Sequence, residues 1–125
     1  MPYEVNIVAG ADAGKYWALL SFRDRRGNLH EKQIRQERKA TKNSNILQAV
    51  MDALGVLKGR CRVNVYTESE YLVEAFRQGW TENWKQGGWV NAKGKPVRNE
   101  YQWRELCSLA ERHQVEFRYT TEEGT

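Results

Sequence analysis

With 125 residues, 40% of them hydrophobic and 29% charged, the chain can bury one modest core. It holds nothing approaching the roughly 20 apolar residues that a bilayer crossing needs. A net charge of +4 and a pI near 9.2 tilt it toward anionic partners. Met1-Pro2-Tyr3-Glu4 lacks the basic-then-apolar pattern of a secretory leader, so the expectation is a single cytoplasmic domain over residues 1–125. Cys61 and Cys107 share no metal-ligand spacing and read as small core residues of a reducing compartment. His30 and His113 have no partner motif.

Residues 3–11 alternate as a first strand, with Tyr3, Val5, Ile7 and Ala9 against Glu4, Asn6, Val8 and Gly10. Ala11–Lys15 is a short turn, and Tyr16–Phe22 a second, aromatic-rich strand. Asp24-Arg25-Arg26-Gly27-Asn28 is a strong turn signal. Leu29 to about Arg38 continues as a polar third strand with Ile34 its main apolar residue, which suits a sheet edge. The period then changes: Ile46, Leu47, Val50, Leu54 and Leu57 share one helical face, with Thr41, Asn43 and Ser44 as cap candidates upstream. A fourth strand runs from Cys61 to Thr67. A second helix is capped by Ser69, carries Glu70 in its first turn and closes at Gly79. Residues 80–99 form an excursion with three tryptophans, four basic residues and one acid. A last helix, Glu100 to His113, turns Trp103, Leu106, Cys107 and Ala110 inward; Trp80 is also expected in the core. Gln114–Tyr119 is the final strand, and Thr120–Thr125 a polar tail. The order is an antiparallel meander followed by crossover units, giving a mixed sheet covered by helices.

The stretch Val63–Val73 carries the strongest functional signal. Glu68 lies at the carboxyl end of a strand, the edge where ligands collect in open α/β sheets, and the basic, tryptophan-rich excursion follows it closely. Thr67-Glu68-Ser69-Glu70-Tyr71 resembles the Thr-Asp-Ser-Gln-Tyr of the ribonuclease H family. Trp84-Lys85 with Gly88-Trp89, and Lys95-Pro96-Val97-Arg98-Asn99, resemble the basic handle of its bacterial type. Ala40-Thr41-Lys42-Asn43 is similar to the family's entry to the first helix, and His113-Gln114-Val115 to its last strand. The resemblance implies an α/β, ribonuclease H-like fold. Its five-stranded mixed sheet, an antiparallel meander plus two parallel strands, is flanked by helices, with the handle at about residues 80–99.

The resemblance also implies a chemistry that this chain only partly retains. Family members use four carboxylates to hold two divalent metals for in-line phosphoryl displacement. The first position falls on Gly10; Asp12, two residues on and on the same strand face, is a substitute. The second falls on Ile46, and Asp52 lies too far round the helix to replace it. The third is Glu68. The fourth belongs to a C-terminal helix that the chain is expected to lack. The expectation is therefore a degenerate homologue, a pseudoenzyme with Glu68 and Asp12 as vestigial catalytic candidates, no metal site and no cofactor. It would bind duplex nucleic acid, an RNA–DNA hybrid in particular, through Thr41, Asn43, Trp84, Lys85, Trp89, Lys93, Lys95 and Arg98. Two alternatives stand beside it. One is a weak nuclease using Mg or Mn at Asp12 and Glu68. The other is a non-catalytic module for a protein partner.

Overall fold

The computed structural model describes residues 3–122. They form a sheet of β1 (Glu4–Ala11), β2 (Lys15–Arg23), β3 (Leu29–Glu37), β4 (Arg62–Thr67) and β5 (Gln114–Tyr119), in the spatial order β3-β2-β1-β4-β5. The helices are α1 (Lys42–Gly55), α2 (Glu70–Arg77), α3 (Trp80–Gln86) and α4 (Glu100–Glu111). The first three strands pair antiparallel, while β4 pairs parallel to β1 and β5 parallel to β4. The mixed five-stranded sheet expected from the sequence is thus the one observed.

Period-two patterning decides which face is buried. Val5, Ile7, Ala9 and Ala11 of β1 are buried, and Glu4 and Asn6 are exposed. Val63 and Val65 of β4 continue the same core. Helix α1 lays Leu47, Val50 and Leu54 onto β1 and β2, and α4 packs on α1 with Trp103 fully buried. Each such side chain contributes about 1.5–3 kcal/mol relative to exposure. Strand β3 has Ile34 as its one half-buried residue, and charged neighbours guard that edge.

Three expectations at the periphery change. Trp80 is 42% exposed rather than in the core. It opens α3, a short helix where only an irregular excursion was read; Gly79, at φ 74°, turns the chain into it. Thr120–Glu122 coils into a 3-10 turn at the end of β5; the remainder of the expected polar tail lies outside the described residues. Cys61 and Cys107 are both buried and free, as small core residues.

Candidate functional site

Because β1 and β4 are parallel neighbours, with Val8 opposite Tyr66, their carboxyl ends open into one cleft. The cleft measures about 300 Å³, and its walls include Gly10, Trp17, Lys42, Ile46, Glu68 and Thr120. Gly10 lies directly across from Trp17 in the β1–β2 ladder. A Cβ built on Gly10 would fall 2.5 Å from Cε2 and Cζ2 of that indole and 2.6 Å from its Nε1. The indole fills the space that a side chain at position 10 would need. Lys42 and Ile46 stand one turn apart at the start of α1 and so face the same way. Among the described residues, no side chain pairs with Lys42 or Glu68.

Asp12 is not brought to this cleft. Strand β1 ends at Ala11, so the two-residue shift that would keep Asp12 on the sheet face runs into the turn. There its Oδ1 accepts from the Gly14 and Lys15 N–H groups at 2.8 and 2.9 Å, and its Oδ2 from Lys15 Nζ at 2.9 Å. Hydrogen bonds from Lys15 and Gly14 hold its carboxyl below the usual range. Asp52 is engaged elsewhere, accepting from the Tyr16 hydroxyl and from Gln48 Nε2. Burial, then Asp52, push the Tyr16 hydroxyl up to about 12. Among the described residues, the cleft therefore offers one carboxylate, Glu68, in a lining that also holds Lys42 and Trp17. A divalent ion wants several oxygens in a near-octahedral set; these residues do not fit a two-metal centre. Among the described residues, no group of three or more His, Cys, Asp or Glu side chains could hold a metal.

The entry to α1 is built for structure first. Thr41 caps the helix, its Oγ1 accepting from the Ser44 N–H at 3.0 Å, and Asn43 is exposed beside it. The buried amide is Asn45, not Asn43. Asn45 Nδ2 donates to the Asp12 and Arg38 carbonyls, both at 2.8 Å, and ties α1 to the strand ends. Arg38 returns a bond to Asn45 Oδ1, and Gln102 of α4 joins through Ser44. A satisfied polar network of this kind fixes the register of α1 and α4 against the hairpins.

In the handle, the expected contact residues divide into two groups. Trp84 packs edge-on against Trp103, with ring centroids 5.3 Å apart. Trp89 is 8% exposed at a left-handed φ of 66°, with the Arg104 guanidinium over its ring at 5.4 Å. Both rings are buttresses. Lys85 is ion-paired with Glu111 and lies 3.8 Å from Glu82; chiefly, Glu111 raises its pKa. The following loop is ordered by Asn91, whose Oδ1 accepts from the Lys93 and Lys95 N–H groups at 2.9 and 3.1 Å. A bridge from Val90 to Pro96 closes the loop on itself, and the buried Val97 fastens it to the body. Lys93, Lys95 and Arg98 stand exposed on it. Among the described residues, none of the three has a side-chain partner.

Trp17 and Lys42 did not emerge from the motif reading. The signal was available: a hairpin turn centred between Ala13 and Gly14 places Gly10 opposite Trp17, a bare backbone beside a large ring.

The RNase H family model matches residues 9–121. The ribonuclease H of Moorella thermoacetica is 43% identical over 105 residues, which are 83% of this chain and 66% of that protein. Among solved structures, LC9-RNase H1, a type 1 RNase H with the type 2 active-site motif, superposes with a TM-score of 0.81 at 22% identity. That match covers 95% of this chain and 63% of the other. The foamy viral protease-reverse transcriptase in complex with an RNA/DNA hybrid superposes at 0.66 and 16% identity, covering 94% of this chain and 17% of the other. The chain spans between about half and two thirds of the length of the curated relatives it matches. On the family match, which runs from the end of β1 through Glu68 and the handle to the end of β5, the chain belongs to the ribonuclease H family.

Proposed function

We propose that the chain binds duplex nucleic acid, an RNA–DNA hybrid foremost, and does not cleave it. One observation carries the reading: Trp17 occupies the space of the first carboxylate over Gly10, Ile46 takes the second, and Glu68 is left with Lys42 beside it. Among the described residues, the cleft lacks the oxygens that would hold two metals, which supports binding without cleavage. The basic loop keeps what binding requires. Lys93, Lys95 and Arg98 neutralise phosphates, and their affinity term falls with salt. The Asn91 bonds and the buried Trp89 and Val97 preorganise the loop, which lowers the entropy cost of docking. Recognition by backbone shape, without base reading, suits an A-like duplex. Thr41 and Asn43 are exposed at the start of α1, and the same reading assigns them to the duplex backbone. The solved neighbour that holds an RNA/DNA hybrid supports the choice of partner, and cytoplasmic residence belongs to the same proposal.

The test uses one preparation and two readouts. Labelled hybrid incubated in Mg or Mn stays intact, while the same protein in EDTA retards it in a gel. Cleavage that disappears in Glu68→Gln would sink the inactive reading. Loss of all binding at low salt would sink the nucleic-acid reading and leave a protein partner as the fold's role.

A further inference from the structure

We infer that the cleft between β1, β4 and α1 is a metal-independent site for a single nucleotide, with the base on Trp17 and the phosphate on Lys42. The inference rests on reading the cleft as free of metal, but not on the basic loop. Three observations meet there. The cleft volume of about 300 Å³ lies at the lower end of small-ligand pockets. Trp17 is half-buried and its position is keyed: the Cε2–Cζ2 edge seats in the gap left by Gly10, so the ring is held as part of the wall. Lys42 projects into the same cleft without a carboxylate partner among the described residues.

The chemistry of the walls selects the ligand class. Any nucleobase has a π-face that stacks on an indole, so the site is tolerant of base identity. Lys15 Nζ stands 5.9 Å from the Trp17 centroid and adds positive charge near the ring, although Asp12 partly neutralises it. Lys42, an ammonium at the first turn of α1, takes the phosphate. Glu68 is an acceptor that repels phosphate, which sets the orientation: phosphate toward α1, and the N–H or O–H groups of the nucleotide toward the end of β4. Ser69 is committed to capping α2 and does not compete.

The test is a titration of the 15N-labelled chain with adenosine 5′-monophosphate in EDTA, following the indole N–H resonance that Trp17→Phe identifies. A saturable shift of that resonance is expected. Adenosine without phosphate binds about tenfold more weakly, and Lys42→Ala brings the monophosphate to the same level. Gly10→Ala keeps every cleft side chain but drives the indole from its seat, so it weakens both ligands while circular dichroism reports an intact fold. Lys93→Ala/Lys95→Ala, which lowers duplex binding, leaves this titration unchanged. Hybrids with and without a one-nucleotide overhang assign the source. A shift with the overhang means that a strand end reaches the cleft; a shift with free nucleotide alone means a free-nucleotide site. No shift of Trp17, a shift that requires Mg, or indifference to Lys42→Ala overturns the inference. Retained duplex binding in the same samples then leaves the loop reading standing.

Discussion

At Gly10 a missing Cβ is occupied by a neighbour from across the hairpin, and His113 shows the converse, a polar ring held inside by one backbone bond. His113 is buried at the start of β5 and its Nδ1 accepts from the Cys61 N–H at 3.0 Å. Burial chiefly, then the positive charges of Arg60 and Arg112, hold its pKa below the ordinary histidine value. Only the neutral ring can accept that bond. In the unfolded chain the ring protonates at the higher, ordinary value, so unfolding takes up a proton between the two pKa values. The stabilisation is therefore complete above about pH 6.5 and is lost as pH falls through the lower folded value. Between pH 7.5 and 5 the wild-type melting temperature is expected to fall more steeply than that of His113→Gln, which accepts through a neutral amide at every pH. Parallel slopes in thermal melts across that range would remove His113 as the cause.

Among the elements, α2 and α4 form the base that carries the handle, and one hydroxyl joins them beside the Trp84–Trp103 contact that brings in α3. Tyr71 Oη accepts from Trp103 Nε1 at 2.8 Å and from Asn99 Nδ2 at 3.2 Å. Asn99 sits at a left-handed φ of 61° where the loop enters α4. Tyr71→Phe preserves the ring packing on Trp103 but strands a buried indole N–H, a loss of about 1–3 kcal/mol. Urea titration should show a lower midpoint with the slope unchanged. An unaltered midpoint would mean that water replaces the hydroxyl. Strands and long helices were legible because their periods are unambiguous: the alternation of Val5, Ile7 and Ala9 survives as the core face of β1. Helix α3 was not legible. Its seven residues give too few turns for a periodic signal, and Gly79 reads as a terminator although it also starts the next turn. The same brevity misplaced Trp80. The burial of Trp89 was not legible either, because it follows a left-handed turn through Gly88 and Trp89 itself. At the site, Glu68 and the absence of a carboxylate at position 10 were readable residue by residue, whereas the Gly10–Trp17 contact required the strand register.

Over the whole molecule, the net charge of +4 says less about binding than where the unpaired cations lie. Lys85 spends its charge on Glu111, an exposed pair of small net worth, so it adds little to the field that a phosphate meets. Lys93, Lys95 and Arg98 carry no such counter-charge among the described residues and stand together on a loop fixed by Asn91. Counterion release makes the distinction measurable, because each phosphate contact contributes about 0.9 to the slope of log affinity against log salt on a regular duplex. Lys93→Ala/Lys95→Ala should flatten the slope for a hybrid by about 2, while Lys85→Ala should change it by much less than 0.9. Glu111→Gln makes the complementary case: it frees Lys85 without adding a residue to the loop, and the slope should steepen by up to about 0.9. Fluorescence anisotropy on one labelled hybrid from 50 to 300 mM KCl reads all three. If Lys85→Ala flattened the slope as much as a loop lysine, phosphate would have to outcompete Glu111, and the binding surface would extend from the loop down onto α3.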